Sequence, residues 1–461
     1  MAQRCAAPTH PGIGIYTSPK YGKRGLHGSN NLTLERRLKK RYEKLAMAHS
    51  NSTTSLSAGV KALADSNKAF AHTQALWRFL NNEEVTPERL SGPLVAGCHK
   101  CITSCEGDYV LCVHDWSRVN FGGHVRKKDR LQMTHATDIG YELQSSLLVN
   151  AQHGLPLSVV AQNLVSAEGV WQSRQGKMQA NDQTHLDELS QRIDWIEQQQ
   201  FARRLIHIVD READSVDHLR QWSRQGHHWL VRVKQGSMVR TAHGDMSLST
   251  VAQSLSFRQT REVVCKGQPG VQWIAGTNVV LARKAKPKRT DGNGQRVKPI
   301  AGEPLAVRLV VSRITNADGD VVAQWYLLSN STADVDDAQL ALWYYWRWDI
   351  ESFFKLLKGA GHQLESWGQE TARATFNRIL IATQACVIAW GLMQAQGDDA
   401  MRTRMFLVRL SGRQMKRAKP VTFPALLDGL YKLFTMLETL KHYSLSELQA
   451  FAQIAKNQMN I

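Results

Sequence analysis

Over the first hundred residues, apolar side chains recur at the three-to-four-residue spacing of amphipathic helices. Residues 34–48 read as one helix and 57–80 as one or two more, the last carrying Leu76, Trp77, Phe79 and Leu80. Asn81-Asn82 stops it, and Thr86-Pro87 predicts the next start: a threonine hydroxyl caps a free N–H, and proline suits the first helical position. Leu90, Leu94, Cys98, Cys101 and Cys105 continue an apolar series down that helix. From Asp108 the pattern changes to short, continuous apolar runs. Residues 109–114, 140–150, 157–165, 205–209 and 229–233 read as strands, with helical segments at 182–200 and 216–222. Strands this apolar, alternating with helices, predict a mixed α/β core covered on both faces. Residues 271–282, 305–314 and 321–328 predict a β-rich insertion, followed by one helix from about 333 to 358. The rest of the chain reads as helical.

Charge adds a partner to this picture. The 461 residues carry 58 Lys or Arg against 40 Asp or Glu, a formal net charge of +18, while 43% hydrophobic residues exclude a wholly disordered chain. A surplus of that size points to a polyanion, nucleic acid first. It is concentrated in residues 1–50, where Arg4, Lys20, Lys23, Arg24 and six more cations face only Glu35 and Glu43. Two further basic stretches are 283–298, either a DNA-gripping edge or a solvated hairpin tip, and 402–419. Residues 1–14 are polar, and the 379–393 run is too short for a comfortable membrane span, so it reads as a buried core helix. Seven cysteines fit a reducing cytoplasm. Cys98, Cys101 and Cys105 lack a second pair at zinc-finger spacing, so they are expected to pack in the core.

Three acids stand where chemistry is expected. Asp115 and Asp210 each close an apolar run, and sites in open α/β sheets gather at strand ends. The third is Glu351. At about 100° per residue, Tyr344, Arg347, Glu351, Lys355 and Lys358 share one edge of the predicted helix, beside an apolar stripe of Trp343, Trp346, Ile350, Phe353, Phe354 and Leu357. An ion-pair ladder Arg347–Glu351–Lys355, worth about 0.3–0.5 kcal/mol a pair, explains the same spacing. Two aspartates and a glutamate can also hold two Mg²⁺ ions, with Mn²⁺ able to substitute, for in-line phosphoryl transfer.

Tyr344-x2-Arg347-x3-Glu351-x6-Lys358 resembles the Y-x2-R-x3-E-x6-K signature of bacterial cut-and-paste DDE transposases of the IS-four family, to which the transposon-five transposase belongs. Asp210-Arg211-Glu212-Ala213-Asp214 and His114-Asp115-Trp116-Ser117 are similar to the segments around that family's two aspartates. The resemblance covers roughly residues 30–400. It implies a helical DNA-end-binding domain (1–90), an RNase H-like catalytic core (91–235 and 331–380) interrupted by a β-strand insertion (236–330), and a helical dimerisation region (381–461). It implies metal-binding catalytic roles for Asp115, Asp210 and Glu351, and DNA contacts for Tyr344, Arg347, Lys355, Lys358, Arg232 and Lys234. Trp325 is the counterpart of a tryptophan that stacks a flipped terminal base; as a strand aromatic it also fits a core position. The activity implied is transposition through 3′-strand nicking, a hairpin and strand transfer, by a homodimer acting on inverted-repeat ends and target DNA in the bacterial cytoplasm. An RNase H-like endonuclease and a decayed, DNA-binding transposase are the rival readings.

Overall fold

Three helices precede the first strand: α1 (Arg36–Asn51), α2 (Ala69–Asn81) and α3 (Pro87–Thr103). They belong to a computed structural model that describes residues 35–51, 69–265, 268–286, 295, 297–331, 334–416 and 419–458. Arg4, Lys20, Lys23 and Arg24, and much of the basic stretch 283–298, lie outside the described residues. The start of α3 follows the sequence signal, with the Thr86 hydroxyl accepting the Arg89 N–H and Pro87 in the first turn. On the far side of α3, Cys98, Ile102 and Cys105 pack with Val110, Cys112 and Leu148 in an apolar cluster, as the series of cysteines predicts.

The strands follow as β1 (Tyr109–Asn120), β2 (Leu131–Gln132), β3 (Ile139–Asn150), β4 (Pro156–Val165) and β5 (Val170–Gln172). After α4 (His185–Glu197) come β6 (Arg204–Val209), a single 3-10 turn, α5 (Val216–Arg224) and β7 (His228–Val233). The next segment holds β8 (Met238–Thr241), β9 (Gly244–Ser247), α6 (Leu248–Gln253), β10 (Arg258–Cys265), β11 (Gln268–Leu281), β12 (Leu305–Thr315) and β13 (Val321–Ser329). All lie in one sheet of order β5-β4-β3-β1-β6-β7-β13-β12-β11-β8-β9, with β2 on β3 and β10 on β11. β1, β6 and β7 run parallel; the other pairs are antiparallel. The β-rich segment after β7 therefore does not build a sheet of its own. β13 returns to the open edge of β7, pairing Tyr326 with Val233 and Ser329 with Leu230, and the central sheet continues through it.

Both faces of the central strands are covered, which is why β4, β6 and β7 are buried along nearly their whole length. On β1, Leu111 and Val113 face the core shared with the helices that follow β13, whereas Val110 and Cys112 face α3 and α4. Those later helices are α7 (Asp337–Trp346), α8 (Asp349–Leu357), α9 (Ala372–Gln394), α10 (Asp398–Ser411), α11 (Phe423–Thr439) and α12 (Leu445–Gln458). Among the described residues α9 alone is long and apolar enough to cross a membrane, and most of it is buried in the fold. It also ties down the N-terminal helices. Buried Asn377 donates to the carbonyls of Leu80 and Val85, and Arg373 to that of Asn82, so the α2–α3 connection has its backbone oxygens satisfied by α9.

The single helix expected over 333–358 is two. Between α7 and α8 the N–H groups of Arg347, Trp348 and Ile350 each bond three residues back, to Tyr344, Tyr345 and Arg347. Such 3-10 steps turn about 120° rather than about 100°, so the second half is rotated by roughly 60° from the face a continuous helix gives it. The segment 347–348 holds neither proline nor glycine to announce the break.

Candidate active site

Register brings the two aspartates together. β1 and β6 are parallel, with His114 paired to Val209, so Asp115 and Asp210 are the next residues on neighbouring strands. Here the sheet forks. β6 ends, because the Asp210 carboxylate accepts the Arg211 N–H at 2.6 Å and caps the 3-10 turn Arg211–Ala213. β1 does not end at Asp115, as its apolar run suggests; it continues to Asn120 on β3 alone. Asp115 thus sits mid-strand, with its carboxylate in the fork and on the face of Val113.

Arg347 fills that fork. It lies at the C-terminus of α7, is buried, and reaches all three acids: Asp115 at 2.9 Å, Asp210 at 3.5 Å and Glu351 at 3.5 Å. The Tyr344 hydroxyl donates to Asp210 Oδ1 at 2.9 Å, and Arg232 Nη1 lies 3.4 Å from the same oxygen. Burial, reinforced by Asp210 and Glu351, pushes the Asp115 carboxyl up to about 6, although Arg347 and the Trp116 N–H oppose it. Asp210 goes the other way. Burial raises it, but Arg347, the Arg211 N–H, Tyr344 and Arg232 together hold it below the usual carboxylate range. Burial also lifts the Tyr344 phenol, which therefore stays protonated and donating.

The other expected residues divide. Lys358 turns towards β1, its ammonium donating to Ser117 Oγ at 2.9 Å and to the Arg118 carbonyl, with Glu365 3.7 Å away. Burial lowers its pKa, partly offset by Glu365. Lys355 is exposed, so the ladder stops at its Arg347–Glu351 rung. Lys234, just past β7, is exposed as well. Trp325 on β13 is buried, its ring 5.7 Å from that of Tyr344. Three supporting residues escaped the sequence reading: Ser117, Glu365 and Asp214. Buried Asp214 accepts from the Lys234 N–H and Ser237 Oγ and pairs with Arg283 at 2.5 Å, clamping the end of β7 and the start of the basic stretch onto the turn after Asp210. Its signal was available, since Asp214 closes the same five-residue motif that Asp210 opens.

Three carboxylates against two arginines, Arg347 and Arg232, leave the fork net negative by one charge, and every donor is a hard oxygen from a side chain a fifth to a third open to water. That donor set fits a hard divalent cation.

A sequence model described as a transposase DDE domain matches residues 106–388, a stretch that includes all three acids. No curated protein matches the chain. Among solved structures, the chain is similar to the cryo-EM structure of a piggyBac transposase synaptic complex with hairpin DNA, at 10% identity and a TM-score of 0.37, over 88% of this chain and 73% of that one.

Proposed function

The chain belongs to the transposase DDE-domain family, enzymes that cut and join DNA strands, and on that premise we propose that it moves an insertion sequence by cut-and-paste transposition. The observation that carries this reading is the convergence of Asp115, Asp210 and Glu351, from three distant segments, on the Arg347 guanidinium. The order β4-β3-β1-β6-β7, antiparallel and then parallel, supports an RNase H-like core around them.

The three carboxylates would hold Mg²⁺, two ions per site, with Mn²⁺ able to replace it. When bound, such ions activate a water or 3′-hydroxyl for attack and stabilise the leaving oxygen. The chain's own residues bind and orient the DNA. Arg232 and Lys358 carry positive charge on the rim of the fork and suit backbone phosphates near the element end, whereas Arg347 and Tyr344, buried and already bonded to the acids, would reach DNA only once metal or substrate displaces those contacts. Lys355 and Lys234, both exposed, extend this contact surface. Trp325 is packed in the core against the Tyr344 ring, so the stacking of a flipped terminal base that we assign to it during hairpin formation requires its ring to be uncovered when DNA binds. The C-terminal helices expose Leu437, Leu440, Leu445, Phe451 and Ile454, apolar surface that suits a homodimer bridging two inverted-repeat ends. The reading places the enzyme with DNA in the bacterial cytoplasm.

The test uses a labelled duplex carrying the element's own end, Mg²⁺, and wild-type protein beside Glu351→Gln. Nicked, hairpin and strand-transfer products made by the wild type and absent with the variant support the proposal. Binding without cleavage by the wild type favours a DNA-binding protein without catalysis, and equal cleavage by both removes Glu351 from the site.

A further inference from the structure

Behind the fork, on the opposite face of β1, lies a buried polar cluster that DNA cleavage does not use. Cys112 and His114 on β1 and His207 on β6 are fully buried, and their donor atoms all lie within 4.8 Å of one another. His114 Nε2 is 2.9 Å from His207 Nδ1. The outer nitrogens are engaged too, His114 Nδ1 with Ser146 Oγ at 2.9 Å and His207 Nε2 with Glu197 Oε1 at 2.9 Å. One nitrogen of each ring thus faces the other ring and Cys112, while the second is anchored by an oxygen.

We infer that Cys112, His114 and His207 form a structural site for a transition-metal dication of the Zn²⁺ class, separate from the carboxylate fork. The donor set is the first reason. One thiolate and two imidazoles are the borderline-soft ligands that Zn²⁺ takes in structural sites, and they are the wrong ligands for Mg²⁺. The outer contacts are the second. Metal-bound imidazoles donate their remaining N–H to a carboxylate or another oxygen, the places held here by Glu197 and Ser146. Charge is the third: a Cys112 thiolate and the Glu197 carboxylate together balance a dication. Nearby Arg192 shares Glu188 with Arg174, at 3.4 and 2.9 Å, so one positive charge is left over close by and the donor set has to outweigh it.

The proton balance is simple. Without metal, Ser146 O–H donates to His114 Nδ1, His114 Nε2–H to His207 Nδ1, and His207 Nε2–H to Glu197. With metal, the His114 proton sits on Nδ1 and donates to Ser146 Oγ, His207 keeps its own, and one proton leaves Cys112. Burial pushes that thiol well up, so the thiolate forms only with the cation. Two nitrogens on one tetrahedral ion at Zn–N distances stand roughly 3.3 Å apart, so the rings part by a few tenths of an ångström on loading. Cys98, buried in the same cluster, supplies a further thiol beside the site. The bound ion would clamp β1 to β6 one residue before Asp115 and three before Asp210. Because all three donor residues are fully buried, loading is expected to accompany folding.

The full chain expressed in cobalt-supplemented medium tests this. Bound Co²⁺ is expected to show a thiolate-to-cobalt charge-transfer band that Cys112→Ser abolishes, and zinc-grown protein should hold about one Zn²⁺ per chain after dialysis against Mg²⁺. Cobalt at the carboxylate fork gives no thiolate band. Should Cys112→Ser fail to fold, Glu197→Gln decides: it should retain the band while weakening Zn²⁺ about 10–100-fold. Folded wild type without the band, a band that survives Cys112→Ser, or Glu197→Gln binding Zn²⁺ as tightly as wild type would each overturn the assignment.

Discussion

Replacing Arg347 by glutamine should destabilise the protein, and removing the charge of Asp115 should recover much of the loss. At an effective dielectric near 20, unit charges 2.9–3.5 Å apart attract by about 5–6 kcal/mol, and Arg347 stands at those distances from three carboxylates. Desolvation of a buried guanidinium cancels part of this. Removing one partner of a buried pair typically costs about 3–5 kcal/mol, mainly because the other charge is stranded. The acids keep a fifth to a third of their surface in water, so solvent screening brings the figure to about 2–3 kcal/mol. For a chain of this length that lowers Tm by about 2–3 °C. Scanning calorimetry at pH 7.5 with chelator would compare wild type, Arg347→Gln, Asp115→Asn and the double variant. Because Arg347→Gln leaves the Asp115 carboxylate facing Asp210 and Glu351, the double variant should regain about 1–2 kcal/mol. An Arg347→Gln melt indistinguishable from wild type, or no recovery in the double variant, refutes the idea that Arg347 compensates this cluster.

Other consequences can be checked separately. The Asp115 carboxyl is raised to about 6 in the fold against 3.8 unfolded, so the folded state binds the proton more tightly and stability falls as pH rises between those values. Asp115→Asn should therefore melt higher than wild type at pH 7.5 in chelator, an advantage that disappears below about pH 4; an equal advantage at pH 3.5 would show that charge is not the cause. Gly154 has φ +71°, and a Cβ there would stand 2.4 Å from the Trp346 ring, so Gly154→Ala should cost about 1–3 kcal/mol in denaturant melts. A neutral result would mean that the turn and α7 shift freely. Asn377→Leu strands the carbonyls of Leu80 and Val85 and should cost about 2 kcal/mol. Amide exchange over α2 and α3 should quicken in that variant, and unchanged exchange would separate these helices from α9.

What the sequence revealed was local. Apolar runs and turn residues located β1, β3, β4, β6, β7 and β11 to β13, and Thr86-Pro87 marked the start of α3, because these signals act within a few residues. Long-range pairing left no such trace. Nothing in residues 321–329 says that they will return to β7, and the amide of Asn377 serving the α2–α3 connection looks like any polar residue inside an apolar helix. The motifs singled out three acids that meet at Arg347, but not the shape of that meeting, since it depends on a helix break that contains no breaking residue.

That break explains how one arginine can serve three acids. In a continuous helix Arg347 and Glu351 lie one turn apart on the same edge, and a guanidinium on that edge bonds its own i+4 partner as readily as anything across the fork. Three bonds to the third residue back, from the N–H groups of Arg347, Trp348 and Ile350, turn the chain between them. Arg347 is left at the end of α7, buried and level with Asp115 and Asp210, while Trp348 is turned out to solvent. Glu351 then enters from the first turn of α8 and meets the guanidinium at 3.5 Å. The same rotation leaves Lys355 in water and directs Lys358 onto Ser117, so the row of residues along one predicted edge separates into a buried bridge, a lysine held against β1 and a free cation. Burial keeps Asp115 reluctant to ionise even with Arg347 beside it. The fork therefore gains more from a further positive charge than an exposed acid cluster would, and a cationic ligand would bind there partly by relieving a cost already built into the fold.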